Sequence, residues 1–277
     1  MPDSWRVIRE WPVLILEELE GGGAARVILN RPEKRNALNP DLAEAMLEAL
    51  EIVRARPDIK AVVTKGSGPS FSSGLDLYYL RGASEGPPRD WDRPSVTAQL
   101  FEAVRAFPRV MIAQVHGYCL GGALAFMNSH DLVVAAANAQ LGMPEILRGS
   151  FGQMATSTLY HSVIPHKKAA LIQFTGRNIS GEEADRLGLV SLAVPEEELE
   201  QATTDLAREI GSRHLAPLQN AKIAAQLGRD LSLPQAIHLD WLLGSRQRLA
   251  VDPLAHVEDY LKSQSGGTNA EYKRPDR

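Results

Sequence analysis

The order of apolar segments predicts an α/β fold built on a parallel sheet. Three observations carry this. Short apolar runs alternate with amphipathic helical stretches through the first half of the chain, as right-handed crossovers between parallel strands require. The runs "RVMIAQVHG" (109–117) and "DLVVAAANA" (131–139) have continuous apolar centres, the pattern of strands buried on two faces. From "HKKAALIQFTG" (166–176) onward the pattern is helical, interrupted only by the short strand "LVSLAV" (189–194).

Each element follows from local signals. "VLILEELEGGGAARVILNRP" (13–32) reads as two strands around a glycine turn. "NPDLAEAMLEALEIVRARP" (39–57) places Leu42, Met46, Ala49, Leu50 and Val53 at helical spacing, with Asn39 as N-cap, Pro40 as first helical residue and Pro57 as the stop. "IKAVVTKG" (59–66) is a short strand. "PSVTAQLFEAVRAFP" (94–108) is a helix with Ser95 or Thr97 near its start. The segment "RGASEGPPRDWDRP" (81–94) reads as a mobile loop, rich in Gly, Pro and charge. After "VPEEELEQATTDLAREIGS" (194–212), at least two more helices follow, separated by "LAPL" and "LSLP".

Composition narrows the function. The net charge of -4 argues against nucleic acid or an anionic membrane as partner. No apolar run approaches the roughly 20 residues of a membrane helix, and "VLIL" is too short for a signal peptide, so a cytoplasmic location is expected. The single cysteine, Cys119, forms no intramolecular disulfide, sits in an apolar run and reads as packing. The histidines lack metal-ligand spacing and suggest no nucleophilic triad, so no metal is expected.

Three stretches are candidates for chemistry. In "GPSFSSGLDL" (68–77), small residues precede Gly74, so a ligand can approach the backbone and meet the Leu75 N–H. In "GYCLGGALAF" (117–126), Gly121 and Gly122 open a helix whose first N–H groups lack internal acceptors. In "LGMPEILRGSFG" (141–152), Glu145 sits among apolar residues, where a carboxylate is costly unless paired or used. Each alone also fits a bland reading: a turn, a tightly packed helix start, a surface acid.

Together with "NRPEKRNAL" (30–38), and with "ISGEEADRLGLVSLAVP" (179–195) in order behind them, these stretches resemble the crotonase (enoyl-CoA hydratase/isomerase) superfamily over residues 13–260. The resemblance implies an α/β spiral of β-β-α turns with a C-terminal α-helical domain. It divides the chain into a core with the site (1–200), a helical trimerisation region (201–263) and a polar tail (264–277). It implies an acyl-CoA thioester ligand, no cofactor beyond the CoA moiety, and assembly as a homotrimer or dimer of trimers. Leu75 and Gly122 match the N–H donors of the family's oxyanion hole. Arg35, Ala37, Ser72, Gly74, Asp76 and Leu77 match CoA-contacting stretches, and Gly121 matches the paired-glycine turn. Tyr260 and Lys262 resemble C-terminal residues that meet the nucleotide of a neighbouring subunit's CoA. Tyr78 and Tyr79, near the site in sequence, are candidates to meet an aromatic acyl group.

The chain departs from the family pattern in one place that matters. Typical hydratases use two glutamates. Glu145 matches the one in the "PE" turn, whereas the helix position holds Ala125. Alanine transfers no proton and is expected to leave room above the substrate's β-carbon. Three reactions then remain open with Glu145 alone: hydration, a proton shuttle as in single-acid isomerases, or hydration with carbon–carbon cleavage as in the hydroxycinnamoyl-CoA hydratase-lyases. A silent acyl-CoA-binding subunit is the non-enzyme alternative. The "GSF" after Glu145 resembles the dihydroxynaphthoyl-CoA synthases, but those lack the turn glutamate. Asn128 and Ser129, late on the Gly121 helix, either face a ligand or satisfy buried backbone groups.

Overall fold

The computed structural model describes residues 4–84, 94–250 and Val257. It divides into two compact units, Met1–Leu215 and Ala216–Arg277. The sequence boundary expected at 200/201 falls inside a helix of the first unit.

The first unit is organised on a seven-stranded sheet. Its strands are β1 (Trp5–Trp11), β2 (Leu14–Leu19), β3 (Ala24–Leu29), β4 (Ala61–Gly66), β5 (Val110–Val115), β7 (Leu132–Ala136) and β10 (Leu192–Val194), in the order β1-β2-β3-β4-β5-β7-β10. β1 to β3 are antiparallel, and every pairing from β3 onward is parallel. β2 and β3 are the expected pair around the glycine turn. β1 was not anticipated: it is an edge strand whose side chains stay largely accessible, so it lacks a buried apolar stripe. β5 and β7 are buried almost throughout, as their apolar runs predicted.

Helix α1 (Pro40–Arg54) has the expected cap: the Asn39 side chain accepts from the Leu42 N–H at 3.1 Å. It buries Leu42, Met46, Ala49, Leu50 and Val53 against β2, β3 and α3 (Val96–Arg105), each large side chain contributing about 1.5–3 kcal/mol. Ser95 caps α3 through the Ala98 N–H. Helix α8 (Leu199–Gly211) covers β3, β4, β5 and β7.

A second sheet of three-residue strands, β6 (Tyr118–Leu120), β8 (Gln140–Gly142) and β9 (Asn178–Ser180), runs beside the first. β5, β6 and α4 (Gly122–Asn128) follow one another directly and make one β-β-α turn of the expected spiral. The expected loop 81–94 is in part helical: α2 (Leu77–Ser84) includes its first four residues, and 85–93 lie outside the described residues. Helices α5 (Gln153–Tyr160), α6 (His166–Thr175) and α7 (Gly181–Arg186) complete the first unit.

In the second unit, α9 (Leu215–Gly228) begins with "LAPL" itself, so that stretch is a first turn and not a separator. Asn220 ties α9 to α10 (Leu233–Ala250) through the Leu243 carbonyl at 3.0 Å. Tyr260, Lys262 and the polar tail lie outside the described residues. No helix among the described residues is long and apolar enough to cross a membrane.

Candidate active site

Three loops from the first unit converge where β6 passes into α4. The first is the Arg31–Leu38 loop after β3. Arg35 and Asn36 adopt left-handed backbone conformations (φ 49° and 53°), which fold the chain back on itself. The fully buried Asn36 side chain holds that shape: it donates to the carbonyls of Ser67 and Ser70, each at 2.8 Å, and accepts from the Arg31 N–H at 2.9 Å. Arg35 is exposed, with its guanidinium over the Tyr118 ring, and Lys34 lies over Tyr78.

The second loop carries Leu75. Ser72 is fully buried; its hydroxyl donates to the Asn36 carbonyl at 2.8 Å and accepts from the Gly74 N–H at 3.2 Å. Ser72 therefore shapes the loop from within. Leu38 donates to the Gly74 carbonyl at 2.7 Å and accepts from the Asp76 N–H at 2.9 Å, so Leu75 is pinned on each side. The Asp76 carboxylate caps α2, accepting from the N–H groups of Tyr78 and Tyr79, and receives Arg31 at 3.0 Å. Burial works against its charge, but Arg31 and the two N–H donors outweigh it and hold the carboxyl below its usual range. Asp76 thus fastens the loop rather than offering a free carboxylate to a ligand. Leu77 and Tyr79, the next residues, are exposed.

The third piece is the paired-glycine turn. Gly74 (φ 94°) and Gly121 (φ 58°) occupy backbone conformations that side chains rarely adopt. A Cβ on Gly74 would lie 2.5 Å from the Leu120 carbonyl oxygen and 3.2 Å from the Gly122 nitrogen. One on Gly122 would lie 3.3 Å from the Leu75 nitrogen. The Leu75 and Gly122 peptides therefore pack side by side with no side chain between them. Neither N–H donates to a backbone or side-chain acceptor among the described residues, whereas Gly121 N–H is satisfied by the Gly142 carbonyl at 2.8 Å.

Glu145 completes the site from a short 3-10 turn, Pro144–Arg148. A Cβ on Gly121 would meet its Oε1 at 2.5 Å, and one on Gly152 would meet its Cδ at 3.0 Å. The carboxylate thus sits between the turns that start α4 and α5. Its Oε2 is buried with no hydrogen-bond partner among the described residues. Burial pushes its carboxyl above the usual range, with Arg148 and its own backbone opposing weakly.

The rest of α4 is inert. Ala125 is fully buried, so the alanine leaves a packed site and not the open space expected of it. The Ser129 hydroxyl donates to the Ala125 carbonyl at 3.0 Å, and His130 bridges the Phe126 carbonyl and Thr64. Asn128 donates to Thr158 at 3.3 Å. Cys119 is buried, contacts Met127, and its thiol is pushed up by burial, as a packing residue. Sequence reasoning missed Arg31, which pairs across 45 positions with Asp76 and so leaves no local signal.

The family model for enoyl-CoA hydratase/isomerase matches residues 20–246. The chain is 32% identical over 216 residues to the hydroxycinnamoyl-CoA hydratase-lyase of Pseudomonas fluorescens, covering 77% of this chain and 78% of that protein. It is 33% identical over 226 residues to the (E)-benzylidenesuccinyl-CoA hydratase of Thauera aromatica, covering 78% and 85%. The crystal structure of a Mycobacterium smegmatis enoyl-CoA hydratase superposes with a TM-score of 0.83 over 91% of this chain and 97% of that one, at 24% identity, which speaks to the fold. This chain therefore belongs to the enoyl-CoA hydratase/isomerase family.

Proposed function

We propose that this protein hydrates an unsaturated acyl-CoA thioester, with or without subsequent carbon–carbon cleavage, using Glu145 as its sole acid/base. The carrying observation is a Glu145 carboxylate packed against Gly121, with its buried Oε2 lacking a hydrogen-bond partner among the described residues, next to the Leu75 and Gly122 N–H groups that donate to no acceptor among those residues. With the thioester oxygen on Leu75 and Gly122, charge that builds there is stabilised; one such donor typically contributes about 3–4 kcal/mol. Glu145 takes a proton from water as the water oxygen bonds to the β-carbon. The electron pair of the double bond moves onto the thioester oxygen as an enolate. Glu145 then returns the proton to the α-carbon. In the cleaving variant, Glu145 removes the new hydroxyl proton, the α–β bond breaks, and an aldehyde leaves while the enolate is reprotonated.

An aromatic acyl group is favoured by the relatives, whose names specify hydroxycinnamoyl and benzylidenesuccinyl esters. Arg35 and Ala37 are read as flanking the CoA, with Tyr79 near the acyl end. Assembly as a homotrimer or dimer of trimers belongs to the same reading, supported by the exposed Leu233, Trp241 and Leu242 of α10.

Turnover of crotonyl-, 3-decenoyl- and cinnamoyl-type CoA esters in deuterium oxide tests the proposal. A β-hydroxyacyl product, or an aldehyde with a shortened thioester, carrying deuterium at the α-carbon is expected. A shifted double bond without hydroxylation assigns isomerisation instead, and binding without turnover of any ester assigns a silent subunit.

A further inference from the structure

Arg31 bonds the segments around Leu75, and among the described residues its hydrogen bonds reach neither Leu75, Gly122 nor Glu145. Arg31 follows β3, and its side chain is only 13% exposed. Its guanidinium donates to Asp76 Oδ2 at 3.0 Å and also to the Ala37 carbonyl. Its main chain is equally fixed: the N–H donates to Asn36 Oδ1, and the carbonyl accepts from the N–H groups of Lys34 and Asn36. Arg31 therefore grips two segments at once. One is Ala37–Leu38, whose Leu38 bonds Gly74 and Asp76 on either side of Leu75. The other is Asp76 itself.

Leu75 N–H donates to no acceptor among the described residues. Its direction is set by the bonds that flank it and by the packing of Gly74 against the Leu120–Gly122 turn. A planar guanidinium holds two acceptors at a fixed spacing, which a lysine ammonium does not reproduce. We propose that Arg31 is a positioning residue: by bridging Asp76 and the Ala37 carbonyl it aims the Leu75 N–H at the thioester oxygen. This rests on the reading of Leu75 and Gly122 as the oxyanion hole. It adds that the hole is held open by a partly buried ion pair on its outer side, remote from the reacting atoms.

The test uses a chromophoric ester, 4-(dimethylamino)cinnamoyl-CoA, whose absorption moves to the red when its carbonyl is polarised. The full-length protein and the variants R31M, R31K and D76N are compared by the shift on binding, the Kd of the ester, and kcat and KM for the best substrate. In D76N the asparagine oxygen still caps α2, but the charge on the partner of Arg31 is gone, so it carries the test if R31M does not fold. The expected result is a red shift in the wild type that shrinks in R31M and D76N at little-changed Kd. With it kcat falls about 10- to 100-fold, less than or equal to the loss of a whole donor, while KM moves little. R31K recovers part of the shift, and millimolar guanidinium restores part of kcat to R31M. A folded R31M or D76N with the full shift and full kcat overturns the proposal alone. A wild type that leaves the chromophore unshifted overturns it together with the oxyanion-hole reading.

Discussion

Two carboxylates border the paired-glycine site, and the protein treats them in opposite ways. Asp76 is enclosed by Arg31 and two backbone N–H groups, so its charge is satisfied and its carboxyl is held low. Glu145 packs against Gly121, Gly152 and Met143, so one oxygen is buried without a hydrogen-bond partner among the described residues and its carboxyl is pushed up. The same functional group becomes a fastener in one place and, in the proposed reaction, the acid/base in the other. Donors account for the opposite signs: desolvation is the foremost influence on each carboxyl, and only at Asp76 do donors outweigh it. An ionisable group kept from its partners costs stability, and such costs cluster at functional sites.

The contrast can be broken at Glu145 by filling the gap that isolates it. Gly121→Ala places a methyl group on Oε1 and forces a left-handed conformation on alanine. We expect kcat/KM to fall about 100-fold, the scale of a displaced reacting group, with a stability loss of about 1–2 kcal/mol. Steady-state kinetics and thermal unfolding check both.

At Asp76 the opposite change is expected. D76N removes the charge from one side of a partly buried ion pair and should cost about 1–3 kcal/mol at neutral pH. The Asp76 carboxyl is lower in the folded chain than its ordinary 3.8, so its contribution is present above that value and disappears as pH falls through the folded value. The gap between D76N and wild type in denaturant unfolding should therefore be full at neutral pH and close in acid.

The smallest effect sharpens the comparison most. The Glu145 carboxyl is raised above 4.5, so the folded state binds its proton more tightly than the unfolded state. Its stabilising contribution is complete below 4.5 and is lost as pH rises through the folded value. E145Q should then unfold a little later than wild type at neutral pH and lose that advantage near pH 4. A variant less stable than wild type at neutral pH would mean that Glu145 has a partner.

Much of this arrangement was legible beforehand, for physical reasons. Asn39 caps its helix as read, and Ser95, one of the two residues read near the start of α3, caps that helix, because a cap is a local contact. β5 and β7 were visible because burial on two faces demands an unbroken apolar run. β6, β8 and β9 were not, since three residues carry no periodicity. The glycines exposed the Leu75 and Gly122 peptides, because only glycine fits where backbones approach so closely. The distinction between Asp76 and Glu145 was invisible: it rests on Arg31, far away in the chain, and on Glu145 Oε2 meeting no hydrogen-bond partner among the described residues. The room expected beside Ala125 was misjudged because its neighbours close over the methyl group.

The claim that Glu145 alone moves the proton is tested most directly by the turnover of E145Q on the substrate that the ester screen identifies. A glutamine keeps the shape and loses the titrating oxygen. The account predicts that kcat/KM falls about 10²- to 10⁴-fold, the usual contribution of a placed general acid/base, while the ester binds with unchanged Kd. Full turnover by E145Q would contradict it.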